Sequence, residues 1–552
     1  MSKFLLDQSG HIRLLGGKPL IVNPVVAVPT NPTTAITLTP LQRIFAAAKY
    51  NIQTTAASND TTTDVPYMFT FAGGQPTSIY ARVIDVDGTA IPGADWTNIS
   101  DSVTVTDGVG IGYLTGVRAG ARYRRQIRVG TNGAIISLDG AQFSVGPNGL
   151  SWGQSNMIKT LIGGGTFANV PGWAGDGYNT DEGAYYRQSS TAFFTNFGFI
   201  DFGHGGAGDY DYGAAGGLAL IRNVADRLKD KAGREIGFGM NVNAFNGTGI
   251  GPFLTVGQTP HNIMVDTGTD AGTIGFNSPP NVFRGDYRVV AWHQGEASGA
   301  TITRAERLAV LKQFCQMHLD QVAKFGRPPS KLTFLFAIMG VYPTSGNVPF
   351  AEVLRGAVYD LVTYAGTVGW DVRVGWNCID LDPAFTSDDL HFGGQQARQG
   401  NRRLTQAFQH VLEPTLVPYG AAGPRLTGAV TRSGDNITLT VAHEGGTGLA
   451  AVTPGSPITG WYGNTALDFS GTDIAITNVT ILSATQIRVT ATGAPATFYI
   501  KHCGHKYYTE RSYHPDVSNL IYDNFVYPTN ANALDQMTGL PLQPTPDAIR
   551  VG

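Results

Sequence analysis

The sequence predicts an α/β protein: a central parallel sheet with helices on both faces, flanked by antiparallel β domains. Three observations carry this expectation. Between about residues 148 and 415, strand-like apolar runs alternate with helical spacing, as in a parallel sheet whose crossovers are helices. On either side, residues 65–147 and 416–552 change to a period of two with short turns between runs. A chain of 552 residues also exceeds what one core organises, so two to four domains are expected. The 71 glycines and the low charged fraction, 14%, fit many tight turns and a β-rich portion.

Taken in order, residues 1–64 read as an N-terminal arm, a short helix and a linker. Ile21-Val22-Asn23-Pro24-Val25-Val26, then Pro29 and Pro32, mix apolar runs with residues that cannot donate to a ladder, so the segment is extended rather than sheet interior. It has too little apolar surface to fold alone and is expected to pack on a partner or on another copy. Thr39 as N-cap with Pro40 at the first helical position marks a short helix through Ala48, and the polar residues 53–64 form a linker. Residues 65–147 are a small β-sandwich domain. Ile79, Ala81, Val83 and Asp85 alternate with Tyr80, Arg82 and Ile84, Asp87-Gly88 supplies a hairpin turn, and Tyr123 to Val129 repeats the habit with charged alternates.

The pattern then switches. Leu218, Ile221, Val224 and Leu228 keep helical spacing, Ile236 to Phe245 is the following strand, and Tyr287 to Trp292 is another. Thr303 with Glu306 forms a capping box, and Gly326 closes that helix. Leu332 to Ile338, a helix over 350–365, Asp371 to Cys378 and a last helix through Ala397, Leu404, Phe408 and Val411 complete the domain at about 415. From 416, Asn436 to Val441, Gln486 to Thr490 and Thr497 to Ile500 return to strands. The closing stretch with Pro528, Pro541, Pro544 and Pro546 is expected to be irregular.

Composition narrows the function. A net charge of −3 without a Lys/Arg cluster of the phosphate-tracking kind argues against a nucleic-acid partner. No run approaches the roughly 18 apolar residues of a membrane span, and Asp7 and Gln8 interrupt the N-terminus before a signal-peptide core can form. Cys315, Cys378 and Cys503 give no disulfide framework; the first two sit in apolar patterns as buried thiols. His502-Cys503-Gly504-His505 has the ligand types of a metal site but no partner cluster, so no metal is expected. Gly163-Gly164-Gly165 follows no strand and reads as a loop, not a phosphate cradle.

Chemistry concentrates in Gly153-Gln154-Ser155-Asn156-Met157, Trp292-His293-Gln294-Gly295-Glu296 and Asp388-Asp389-Leu390-His391. Acyl transfer needs a nucleophile, a base, a group orienting the base and donors for the oxyanion. Ser155 in a tight polar turn is the nucleophile candidate, and its own N–H is one oxyanion donor. His391 is the base candidate, because Asp-x-x-His lets a carboxylate meet the imidazole within one local turn. Asp380 and Asp382 read as loop or cap residues. His293 and Glu296 offer Ser155 a rival acid–base pair; the favoured reading has Glu296 brace the loop and His293 line the pocket. Trp152 and Trp292 either offer a sugar a flat face or are ordinary core aromatics.

In this order the three stretches resemble the SGNH-hydrolase superfamily, in its sialate O-acetylesterase and acetyl xylan esterase branch, over roughly residues 148 to 415. The resemblance implies an SGNH-type three-layer α/β/α domain, a catalytic triad of Ser155, His391 and Asp388, and no cofactor. By the family's spacing Asp388 is the orienter, whereas Asp389 has the wrong offset. It further implies oxyanion donors at Ser155, Gly247 and Gln294. Where family members carry a double glycine, Asn246 precedes Gly247, which leaves open which amide serves. Gln154, Asn156, His293, Glu296 and Trp292 are the expected substrate contacts. The implied activity is carbohydrate O-acetyl hydrolysis on an acetylated glycan. The rival is a non-catalytic glycan-binding attachment protein on the same fold. Bacterial relatives of this type are commonly exported; without a signal this chain either lost one, works inside a cell or leaves another way, for example on a virus particle. A virion tail placement predicts a homotrimer joined through the N-terminal arms.

Overall fold

The computed structural model describes residues 4–6, 12–14, 35–38, 49–53, 62–72, 76, 78–85, 87–106, 109–137, 142–162, 185–189, 239–244, 248–256, 258, 287–297, 301–323, 332–340, 351–381, 392, 394–415, 417–503, 517–525 and 539–552. Its centre is a parallel sheet of six strands: β1 (Asn148–Gly153), β2 (Tyr185–Ser189), β3 (Gly239–Ala244), β4 (Val289–His293), β5 (Thr333–Ile338) and β6 (Asp371–Asn377). The spatial order is β2-β3-β1-β4-β5-β6. From β1 the chain builds β2 and β3 on one side, then crosses to lay β4, β5 and β6 on the other. The strand order thus reverses at β1, and ligands of such sheets bind beyond the carboxyl ends at that reversal.

The helices are α1 (Ser155–Ile162), α2 (Gly251–Leu254), α3 (Arg304–Ala323), α4 (Ala351–Val368) and α5 (Gly394–Leu412). They pack as pairs, α1 on α5 and α3 on α4. Every residue of β4 and β5 is buried, so both faces of the sheet are covered. The expected capping box opens α3: Thr303 N–H donates to Glu306 Oε2 at 2.8 Å, and Glu306 N–H returns to Thr303 Oγ1 at 3.2 Å. The helix expected over Leu218 to Leu228 lies outside the described residues.

Much of the remaining chain is antiparallel β. Ahead of the central sheet, one layer runs Lys49–Gln53, Gln142–Gly146, Gly120–Val129, Ile79–Ile84, Thr97–Asn98, and a second runs Ala35–Leu38, Thr62–Ala72, Val109–Arg118, Thr104–Thr106. Val65, Tyr67 and Phe69 of one layer and Ile79, Ala81, Val83 and Ile127 of the other are buried in a hydrophobic core continuous with that of the central sheet. Gly88, with φ +85°, turns the chain where Asp87-Gly88 was expected to.

The arm and linker expected within residues 1–64 require correction. Ala35–Leu38 pairs antiparallel with Phe69–Ala72, Lys49–Gln53 pairs parallel with Gln142–Gly146, and the strand at Thr62 begins inside the expected linker. Phe4–Leu6 and Ile12–Leu14 pair as a short antiparallel ribbon. Most of these are short strands whose partners lie far along the chain or which pair only with each other, so local periodicity does not reveal them. The short helix expected over Thr39 to Ala48 lies outside the described residues.

After α5, two four-stranded layers enclose Ile437, Leu439, Ile487, Val489, Phe498 and Ile500. The closing stretch, expected to be irregular, is partly ordered sheet: Leu540 and Leu542 are buried, and Ile549–Val551 pairs with Phe498–Ile500. Polar contacts join this region to the central domain. Arg355 Nη1 donates to Cys503 O at 2.7 Å, and Lys501 Nζ to Glu352 Oε2 at 3.0 Å. Cys315, Cys378 and Cys503 are all free and buried. No helix among the described residues is long and apolar enough to cross a membrane.

Candidate active site

The site is built where β1 runs into α1. At Gly153, the end of β1, a Cβ would stand 2.2 Å from His293 O and 2.7 Å from Met157 Cβ. Only glycine lets the strand approach β4 this closely before turning. Gln154 N–H then donates to His293 O at 3.3 Å, and Ser155 is the first residue of α1, with no acidic side chain in the helix's first turn. Ser155 therefore sits at the positive end of a helix dipole, which favours negative charge developing on or beside it. It is 9% exposed, against 2% for Gln154 and 0% for Asn156.

Glu296, buried just beyond β4, holds both neighbours of the serine. Its Oε2 accepts from Gln154 Nε2 at 2.5 Å and its Oε1 from Asn156 Nδ2 at 2.7 Å. Asn156 Oδ1 in turn accepts from the Phe392 amide at 3.0 Å. The turn is thereby tied to the end of β4 on one side and to the residue following His391 on the other. Expected as substrate contacts, Gln154, Asn156 and Glu296 instead spend these polar groups on one another in the interior. Glu296 does brace the loop.

His293 is fully buried, its ring 6.0 Å from that of Trp376 and 5.6 Å from that of Phe392, with Nε2 3.6 Å from Glu296 Oε1. Among the described residues its ring nitrogens have no hydrogen-bond partner. Burial lowers its pKa, opposed by the Glu296 charge, so the imidazole is held neutral. The next residue projects differently. Gln294 Nε2 donates to Thr248 O, in the segment that follows β3, at 3.1 Å, while its Oε1 accepts from Arg307 Nη1 at 2.9 Å. Arg307 Nη2 also donates to Gln294 O. The candidate oxyanion donor is thus fixed at both its main chain and its side chain by one buried arginine.

Arg307 was not anticipated. A signal existed: it falls in the stripe of α3 that continues with the buried Leu311, Phe314, Cys315, His318, Leu319 and Val322. A charge in an apolar stripe is either paired or functional.

Trp292 and Trp152 resolve to core aromatics. They are 2% and 0% exposed and pack on Phe253, with ring centroids 5.2 and 6.1 Å away, on the sheet face covered by α3. Neither offers a free ring face to a sugar, which corrects the expectation for Trp292. Asp380 is the expected loop residue, accepting from Arg403 Nη2 at 2.7 Å and from the Tyr522 hydroxyl at 2.6 Å. His502 donates or accepts through Nδ1 only with a main-chain carbonyl, that of Gln543 at 3.1 Å, hence as a donor. Among the described residues no three His, Cys, Asp or Glu side chains gather as metal ligands. His391, Asp388, Asp389, Asp382, Asn246, Gly247, Gly163 to Gly165, Gly504 and His505 lie outside the described residues.

No protein-family model matches the chain, and no curated protein matches it in sequence. Among solved structures it is similar to a carbohydrate acetylesterase from Xanthomonas citri, with 15% identity and a TM-score of 0.51, covering 94% of this chain and 100% of that one. The chitinase ChiW of a Paenibacillus species, 10% identical over 92% of this chain and 51% of that one, has a TM-score of 0.17 and carries no argument. At such identity the first likeness speaks to architecture alone: the chain shares its fold with a carbohydrate acetylesterase.

Proposed function

We propose that the protein is a serine carbohydrate esterase of the SGNH type, which removes O-acetyl groups from a glycan. The observation that carries this reading is the seating of Ser155. It stands at the carboxyl end of the strand where sheet order reverses, at a helix N-terminus, with both neighbours clamped to Glu296. The shared fold with a carbohydrate acetylesterase agrees with it.

In the proposed mechanism Ser155 Oγ attacks the acetyl carbonyl carbon while His391 accepts the hydroxyl proton and Asp388 orients the imidazole. The N–H groups of Ser155 and Gly247 and the Gln294 amide take the developing oxyanion. His391 gives that proton to the departing sugar oxygen, then accepts one from the attacking water and passes it to Ser155 Oγ as acetate leaves. No step needs a cofactor.

The test is acetate release from 4-nitrophenyl acetate and from acetylated polysaccharides, wild type against Ser155→Ala. Activity confined to the wild type supports the reading. Absence of acetate from every substrate, with glycan binding equal in both proteins, favours an attachment protein on a borrowed fold.

A further inference from the structure

We infer that the outer face of the N-terminal sandwich is a binding site for an acidic polysaccharide, centred on Arg82, Arg124 and Arg128. In strand Gly120–Val129, Tyr123, Arg125 and Ile127 are buried, whereas Arg124, Gln126 and Arg128 alternate onto the opposite face. The neighbouring strand is in register with them: Gln126 lies opposite Arg82 and Arg128 opposite Tyr80. Arg82 falls between the other two, which stand four residues apart, roughly 13–14 Å along a strand.

Trp96 organises the cluster. The Arg128 guanidinium carbon lies 4.1 Å from its ring centroid and that of Arg82 lies 4.6 Å away; Arg128 also lies 5.7 Å from the Tyr80 ring. A guanidinium stacked on an aromatic face is held in place with its N–H edge still available, and that planar fork matches a carboxylate. Arg82 uses its Nε on Gln126 Oε1 at 2.7 Å and stands 3.6 Å from Asp95. Arg124 and Arg128 have no carboxylate partner among the described residues, and their Nε atoms, withdrawn from solvent, have no hydrogen-bond partner. Among the described residues these three like charges have a single carboxylate, Asp95, beside them, and they repel one another in the folded chain. A bound polyanion relieves that repulsion.

A carboxylated sugar polymer fits better than nucleic acid. Stacked arginines already occupy the Trp96 ring, which removes the free platform on which bases stack, and the chain as a whole carries a net charge of −3. The choice of a sugar polymer rests on the esterase reading above; the anion site itself does not. Bound here, an acidic glycan would be retained by a region separate in sequence from the Ser155 turn.

The experiment measures binding to the full-length Ser155→Ala protein, so that catalysis plays no part. The probes are polygalacturonate, neutral xylan and polyuridylate at two salt concentrations. Expected is binding of polygalacturonate that weakens with salt, little binding of xylan, and a loss of about tenfold or more in Arg124→Gln/Arg128→Gln. The Arg124→Lys/Arg128→Lys variant keeps the charge without the fork and is expected to fall between. Failure of polygalacturonate to bind, unchanged binding in the glutamine variant, or equally tight polyuridylate binding would overturn the inference. Should the glutamine variant not fold, lysine-variant affinity equal to the parent's does the same. Absence of acetate release from the wild-type protein, while polygalacturonate binding persists, would instead count against the esterase reading alone.

Discussion

Glu296 and Asp380 are two buried carboxylates, each tying together parts of the chain that are distant in sequence, yet they are satisfied in opposite ways. Asp380 is paired with a full positive charge: Arg403 reaches both its oxygens, and the Tyr522 hydroxyl joins the central domain to the C-terminal region. Glu296 has no cation hydrogen-bonded to it in the described contacts; its oxygens take the neutral amides of Gln154 and Asn156. The difference follows from what each must hold. A joint between domains is served by the strongest available pair. Beside the proposed nucleophile Ser155, amides fix geometry on short side chains without a full positive charge, and the nearby Arg307 is directed to Gln294 instead.

This contrast can be broken from the joint first. Arg403→Met leaves the Asp380 charge buried without its partner, and we expect a stability loss of about 3–5 kcal/mol, read as a lower denaturation midpoint. The turn comes next. In Glu296→Gln one acceptor oxygen becomes an amide that faces another amide donor, so the Ser155 turn shifts. Turnover is expected to fall about a hundredfold with KM little changed and the melting temperature lowered only modestly. Equal kcat in that variant would mean the clamp does not position the serine.

Acid sharpens the contrast further, because each region holds a buried, neutral histidine. Burial lowers the pKa of His293, and it pushes His502 down to about 4. The folded state thus binds fewer protons than the unfolded state below the unfolded value of about 6.5, and stability is lost as pH falls from there toward 4. At pH 5 the His502 share is about 2 kcal/mol. Denaturation midpoints at pH 7 and pH 5 should separate more for wild type than for His502→Gln. The smallest effect is expected from Tyr522→Phe, which removes one donor to the Asp380 carboxylate and leaves the ion pair intact, at about 1.5 kcal/mol.

Much of the fold was legible because α/β alternation is a local signal. The capping box at Thr303, the buried run of β5 and the Asp87-Gly88 turn each announce themselves within a few residues. Lys49–Gln53 does not, since its place is decided by a partner strand at Gln142–Gly146. At the site, residue types show which side chains are polar but not the direction in which they point. Gln154 and Asn156 have the polarity of substrate contacts, yet the turn that presents Ser155 points both amides inward to Glu296. Trp292 was ambiguous from sequence because an aromatic at the end of a strand suits a sugar platform and a core equally; packing on Phe253 and Phe314 decides it. Arg307 is the reverse case: its place in an apolar stripe can be read from the sequence, whereas its partner Gln294 is set by the fold.

The central claim is that Ser155 is the nucleophile, and covalent capture tests it most directly. The full-length protein would be incubated with a fluorophosphonate probe, which reacts with activated serines, and the modified peptide located by mass spectrometry. The account predicts a single adduct on Ser155, formed in step with loss of acetate release and absent from Ser155→Ala. An adduct on another residue, or acetate release that persists in Ser155→Ala, would contradict it.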